Sequence, residues 1–317
     1  MTLRSATRQI FRKLPIGQHL ATASRNNLER RVIAAGPAVI PGEPDLAVMP
    51  PEWRSPSLSE PRMLYLDLLK KSLTFMTYAP NFLDLASANG IRLVAPSGTE
   101  LNARVEGRDF PFLADTMVGL KRLENLQLCV ESILAENIPG DLIECGVWRG
   151  GASIFLRGLL KAHGVVNRSI WVADSFRGMP SPNPRMYPAD ERLNWQPLTY
   201  LAVSLEQVQA NFKRYGLLDE QVRFLKGWFC DSLPTMSGRQ WSLIRLDGDL
   251  YQSTMEGLTH LYPNLSPHGY IIIDDYYGIS ACRQAVDDYR KAQGISDELV
   301  RIDWTGVYWR RDRPAEI

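Results

Sequence analysis

The chain has 317 residues, with 36 Lys+Arg against 35 Asp+Glu, 45% hydrophobic and 22% charged positions and a formal net charge of +1. That balance allows a full-sized core in one large α/β domain with an extension, and it excludes a protein built around the nucleic-acid backbone, which needs a clustered basic excess. The four cysteines, Cys129, Cys145, Cys230 and Cys282, form no C-x-x-C pair, so neither a disulfide framework nor a zinc site is indicated and a reducing, cytoplasmic setting is the default. No apolar run reaches the about 20 residues that span a bilayer, and the compact apolar stretch of a secretory signal is missing from the N-terminus.

Residues 1–31 carry seven basic side chains against Glu29 alone, which leaves the remainder of the chain net acidic. With Leu3, Ile10, Phe11 and Leu14 on a partial apolar face, this stretch reads either as a solvated extension or as a basic helix that touches an anionic surface or a partner. Its Arg-rich, acid-poor character also resembles an organelle transit peptide. Seven prolines between residues 36 and 61 fix φ and remove amide donors, giving an extended arm. Such an arm could reach a neighbouring subunit of a homo-oligomer. The division expected is an extension over residues 1–62 and a domain over 63–317.

Residues 63–79 predict a helix whose buried stripe is Leu64, Leu66, Leu68, Leu69, Leu73 and Met76. A second helix covers residues 121–136 and stops before Asn137 and Pro139. Short apolar runs then alternate with amphipathic stretches. Strands are expected at 141–145, 169–173, 221–226, 241–246 and 269–273, with helices at 152–163, 204–215, 254–261 and 280–293. Two more strands fall near 299–302 and 306–310. This alternation predicts an α/β, Rossmann-like, doubly wound and mostly parallel sheet with helices on both faces, whose ligands bind at the carboxyl ends of the strands.

Those strand ends are rich in acids. After the first strand, Glu144-Cys145-Gly146 leads into Trp148-Arg149-Gly150-Gly151, a glycine turn that lets backbone approach a ligand at a helix N-terminus. The spacing is not G-x-G-x-x-G, and Glu144 would repel a pyrophosphate but suits an ammonium group. Asp174 ends the second strand, where a carboxylate can accept hydrogen bonds from ribose hydroxyls. An adenosine with a cationic, amino-acid-like tail fits this pair better than a dinucleotide does, and S-adenosylmethionine is that ligand. The structural alternative is a tight turn and a helix-capping acid.

Strands four and five end in Asp247-Gly248-Asp249 and Asp274-Asp275. Carboxylates crowded at neighbouring strand ends need protons or a cation. With no histidine in these motifs, the oxygen-only set selects Mg²⁺, or Mn²⁺ or Ca²⁺, over zinc. For Asp249 a capping role weighs as much as a metal role. A metal beside a methyl donor has a use, because it acidifies and orients an acceptor hydroxyl while a nearby carboxylate takes the proton.

The segments Thr116-Met117-Val118-Gly119, ECGVWRGGAS, ADSFRGMP, LDGDLYQST, LSPHGYIIIDDY and ACRQAVDDYR stand in an order and spacing that resemble the macrocin O-methyltransferase family of metal-dependent sugar O-methyltransferases. The resemblance covers about residues 64–310. It implies a class I methyltransferase fold that uses S-adenosylmethionine and Mg²⁺ to methylate a hydroxyl of a sugar or glycosylated natural product, as in antibiotic biosynthesis. It further implies that Thr116, Met117, Glu144 and Gly146 line the cofactor pocket, that Asp174 and Ser175 meet the ribose, and that Trp228 lies near the adenine. Asp247, Asp274 and Asp275 match the metal ligands, with Asp247 doubling as general base. Residues 178–197, polar with Tyr187 and Trp195, are expected to cover the acceptor as a lid. Two other classes stay open on the sequence: a glycosyltransferase using Asp247-Gly248-Asp249 to hold a metal, and a non-catalytic cofactor-binding protein.

Overall fold

The structure, a computed structural model, describes residues 60–78, 98–108 and 113–312. The basic segment and nearly all of the proline-rich arm lie outside the described residues. Helices α1 (Glu60–Leu73), α2 (Gly98–Glu106) and α3 (Leu120–Ala135) precede an alternating series. It runs β1 (Asp141–Cys145), α4 (Gly151–Ala162), β2 (Ile170–Asp174), α5 (Leu205–Arg214), β3 (Val222–Lys226), the single turn α6 (Phe229–Ser232), β4 (Trp241–Leu246), α7 (Tyr251–Leu261), β5 (Leu265–Ile273), α8 (Ser280–Ala292), β6 (Val300–Arg301) and β7 (Val307–Arg310).

The sheet has seven strands in the order β3-β2-β1-β4-β5-β7-β6. Strands β1 to β5 are parallel, whereas β7 runs antiparallel to β5 and β6 antiparallel to β7. The reversal follows from chain length, since the β6–β7 connection turns at Ile302–Gly306 and is too short for a crossover helix. The expected doubly wound, mostly parallel sheet is therefore present. Parallel strands covered on both faces are apolar on both faces, and β4 is buried along its whole length. On one face Leu142, Val172, Leu243 and Ile272 pack with α1, α3, α4 and α5; on the other Ile143, Ile244, Leu246, Ile271 and Trp309 pack with α7 and α8.

Element bounds differ from expectation in instructive places. Strand β5 starts at Leu265 rather than 269 because a register shift lets Trp241 pair with Leu265 and Leu243 with Tyr270, so Pro267 and His268 sit in an irregularity instead of breaking the strand. Helix α1 begins at Glu60, with Pro61 in the first turn, where its missing N–H is not needed. Its buried stripe is narrower than expected. Leu66, Leu69 and Leu73 are buried, but Leu64 and Leu68 are 64% and 59% exposed. The i, i+3, i+7 spacing of the buried three suits one neighbour, α4, where Gly158 leaves room that a Cβ would take from Leu69. No helix among the described residues is long and apolar enough to cross a membrane.

Leu243 sits at 0% exposure in the central strand. Leu243→Ala should cost about 2–5 kcal/mol through lost burial and a cavity, read as a lower urea midpoint with an unchanged slope.

Candidate functional site at the strand ends

The sheet's hydrogen bonding continues one step past the parallel strands. Gly227 N–H donates to Asp174 O (3.0 Å), Gly146 N–H to Ala173 O (2.9 Å), Asp247 N–H to Cys145 O (2.9 Å) and Asp274 N–H to Leu246 O (3.0 Å). These bonds align the loops holding Asp174, Gly146, Asp247 and Asp274 along one edge in the order of the strands. At its centre Gly146 has φ 85°, and a Cβ there would collide with the carbonyl oxygen of Asp247. Glycine is thus required both by conformation and by the approach of the β4 loop.

On the β1–β2 side, Asp174 organises the turns themselves. Its Oδ2 accepts from Val147 N–H (2.8 Å) and its Oδ1 from Phe176 N–H (2.7 Å). Burial raises its pKa, and these amides oppose the rise. The backbone of Trp148 and the Ser175 hydroxyl also face this carboxylate, so it is held mainly by the turns around it. Ser175 Oγ is engaged locally, donating to Gly178 O and accepting from Arg177 N–H. Thr116 is buried beside the start of α4, where Gly151 N–H donates to Asp115 O (2.9 Å), and Met117 is half-buried next to it. Trp228, also half-buried, directly precedes α6, in the turn that Gly227 ties to Asp174.

Glu144 is placed differently from the expectation. Only 2% exposed, it accepts from Arg245 Nη1 at 2.5 Å and from the Ser153 hydroxyl, so a guanidinium of the chain occupies the position sequence reading gave to a ligand ammonium. Burial pushes its pKa up to about 7 against the opposing pull of Arg245. Arg245 belongs to no motif, since it lies within the strand Trp-Ser-Leu-Ile-Arg-Leu; its only signal in the sequence is a cation inside an otherwise apolar strand. Strand pairing sets Arg245 beside Glu144.

Arg245 also donates from Nη2 to Asp247 Oδ2 (3.0 Å) and to Asp274. On its far side Asp274 meets Arg122 of α3, which further binds Asp303 (2.7 Å) and Thr305. Burial alone would lower the pKa of each arginine, but the surrounding carboxylates more than reverse that and hold both guanidinium groups charged.

The expected metal triad is therefore split. Asp247 and Asp275 come together, but their third companion is Asp249: one ligand atom from each of the three lies within 4.8 Å of the others. The carboxylate of Asp274 faces the two arginines instead. Burial and mutual repulsion push the carboxyls of Asp247 and Asp249 up to about 6 and about 7, and that of Asp275 well above its ordinary range. Asp275 Oδ2 is buried with no hydrogen-bond partner. Convergent carboxylate oxygens, one of them unpartnered, with no nitrogen or sulfur donor among them, fit a hard divalent ion.

Comparison with known proteins gives the context. The family model for macrocin-O-methyltransferase (TylF) matches residues 62–311. The chain is 54% identical over 250 residues, 78% of its length and 93% of the relative's, to 8-demethyl-8-(2,3-dimethoxy-alpha-L-rhamnosyl)-tetracenomycin-C 4'-O-methyltransferase of Streptomyces olivaceus. It is 51% identical over 251 residues, 78% of the chain and 96% of the relative, to mycinamicin III 3''-O-methyltransferase of Micromonospora griseorubida. Among solved structures, the O-methyltransferase NovP superposes with a TM-score of 0.71 at 47% identity, covering 80% of this chain and all of that one.

The buried acids set a pH dependence. In the metal-free protein Glu144, Asp247 and Asp249 keep protons up to pH values of about 6 to 7, where an unfolded chain has already released them. The folded state then binds more protons than the unfolded one between about pH 4 and pH 7, so stability falls as pH rises through that window. Urea midpoints in the presence of a chelator should be lower at pH 7.5 than at pH 5.5, and Glu144→Gln should flatten part of the slope.

Proposed function

Because the chain belongs to the macrocin-O-methyltransferase family and is an O-methyltransferase, we propose that it moves the methyl group of S-adenosylmethionine to a hydroxyl of a sugar on a glycosylated natural product, assisted by a hard divalent cation. The observation that carries this reading is the joining of two different acidic regions along one sheet edge: the Gly146 and Asp174 turns on one side, the Asp247, Asp249 and Asp275 carboxylates on the other. The names of the relatives support the acceptor class, since they modify a rhamnosyl tetracenomycin and a mycinamicin. Neither open alternative explains both regions. A metal-holding Asp-x-Asp alone would suit a glycosyltransferase, but the family match sets that reading aside.

The residues divide the work by position. Thr116, Met117, Gly146, Asp174, Ser175 and Trp228 hold the cofactor. Gly146 gives it access to backbone, and Asp174, fixed by the amides of Val147 and Phe176, turns its carboxylate to the ribose. Glu144 contributes indirectly, by fixing Arg245 between the two regions. Asp247, Asp249 and Asp275 hold the ion, and Asp274, clamped by Arg122 and Arg245, positions the loop behind it. When bound, such an ion lowers the pKa of an acceptor hydroxyl and fixes its direction. The bound cofactor would supply the methyl carbon, whose bond to sulfur would break as the acceptor oxygen bonds to it, while a carboxylate of this cluster would take the hydroxyl proton.

Asp247 is the proton acceptor in this reading, using the oxygen that Arg245 does not bind. A second assignment is favoured by one observation. Asp249 bonds to no arginine, so its carboxylate is the more basic of the two once Arg245 has drawn on Asp247. Asp247→Asn should abolish methyl transfer and weaken Mg²⁺ binding while S-adenosylhomocysteine still binds in calorimetry; full activity would overturn the mechanism. Asp249→Asn separates the two assignments: Mg²⁺ binding weakens in either case, but if Asp249 takes the proton kcat stays about 10²–10⁴-fold low at saturating Mg²⁺, whereas if it only holds the ion the excess Mg²⁺ restores kcat.

A further inference from the structure

Between residues 178 and 197 the chain is a polar, mostly exposed segment in which Met186 is 66% exposed. One side chain in it is buried, and it is a charged one: Asp190, at 0% exposure. A carboxylate is taken out of water at such a cost only where hydrogen bonds compensate it. Here they come from another part of the molecule. Asp190 Oδ1 accepts from Tyr251 N–H (2.7 Å) and Oδ2 from Gln252 N–H (3.1 Å), the first two amides of α7. The residue at the N-cap position of α7, Leu250, has no side chain able to cap, so Asp190 supplies the cap from 61 positions upstream. Its charge also suits the positive end of the helix.

What this cap holds is not an arbitrary helix. Helix α7 starts two residues after Asp249, which has φ 59°, a left-handed turn conformation that aspartate tolerates better than most non-glycine residues. On one side the Asp247–Leu250 turn is tied to Cys145 by the amide of Asp247, and on the other it runs into the helix that Asp190 anchors. A second contact joins the same elements, the rings of Tyr187 and Tyr251 lying 6.0 Å apart.

We propose that Asp190 is a positioning residue that locks segment 178–197 to the start of α7, so that the segment and the carboxylate loop carrying Asp247 and Asp249 are ordered as one unit. Resting on the reading of that loop as the metal end of a methyltransferase, this gives the segment a defined part in the reaction: seating it over the strand ends sets the geometry of the carboxylates, and disturbing it disturbs them.

The test uses the full chain with Asp190→Ala and Asp190→Asn. Trypsin can cut the segment after Arg185 and Arg192, both exposed. In Asp190→Ala, cleavage at these two sites should rise at least tenfold, and hydrogen exchange should accelerate together in peptides covering 178–197 and 247–252. Mg²⁺ affinity should fall at least fivefold, with S-adenosylhomocysteine affinity within twofold of the parent. Asp190→Asn, which keeps one acceptor, should recover part of each effect and stands in if the alanine variant does not fold. Faster exchange confined to 178–197, or a lowered melting temperature with unchanged Mg²⁺ affinity, would overturn the proposal by showing a cap without coupling. Cleavage and exchange are read without metal or acceptor, so a parent chain that binds no Mg²⁺ would refute the metal reading while these two measurements still judge the linkage.

Discussion

The site depends on how its negative charge is apportioned. Two buried guanidinium groups, Arg122 and Arg245, stand among six carboxylates: Glu144, Asp247, Asp249, Asp274, Asp275 and Asp303. Burying any of these ions costs several kcal/mol unless partners compensate it. The arginines compensate Glu144, Asp274 and Asp303 and share in Asp247. The uncompensated remainder is gathered at one corner, Asp247, Asp249 and Asp275, where the unpartnered Oδ2 of Asp275 marks the shortfall. Pairing on one flank thus concentrates electrostatic demand on the other, a demand that the proposed divalent cation would answer.

Sheet order sets the two acidic regions side by side. Strands β2 and β1 carry the Asp174 and Gly146 turns, and β4 and β5 carry the carboxylates, so the centre of the sheet is where the two meet. The meeting is close, because the β4 loop passes over Gly146 at a distance that forbids a side chain. Arg245 crosses the same boundary on the face of the sheet below, touching Glu144 on one side and Asp274 on the other. Position along the edge is consequently fixed twice, by backbone bonds above and by an ion-pair chain beneath.

Much of this was legible in the sequence, and the limits are physical. Apolar runs in β1 and β4 gave their bounds because both faces of each strand are buried, and the acids after β4 and β5 marked the functional edge. The grouping of those acids was not legible. Asp274 and Asp275 are adjacent, so their side chains diverge, one toward the face where Arg122 and Arg245 wait and the other toward Asp249. Adjacent carboxylates read as a pair in one dimension and separate in three. The partner of Glu144 was hidden for a related reason: Arg245 is 101 residues away and becomes a neighbour only through strand pairing. On α1, Leu64 and Leu68 fit a helical stripe as well as Leu66 and Leu69 do, and only the packing against α4, with α3 beside it, decides which pair is buried.

The start of α7 shows the same principle at the level of secondary structure. From local signals the helix should begin near residue 254, because Leu250 offers no cap and Asp-Gly-Asp favours a turn. It begins at Tyr251, where the missing cap comes from a segment distant in sequence, the one expected to form a lid. The arrangement separates two requirements that a single loop would otherwise have to meet together. The carboxylate turn has one fixed geometry, whereas the segment around Asp190 keeps most of its side chains exposed. With the connection carried by one buried carboxylate and the amides of a helix end, those exposed side chains can vary without altering the turn that carries Asp247 and Asp249.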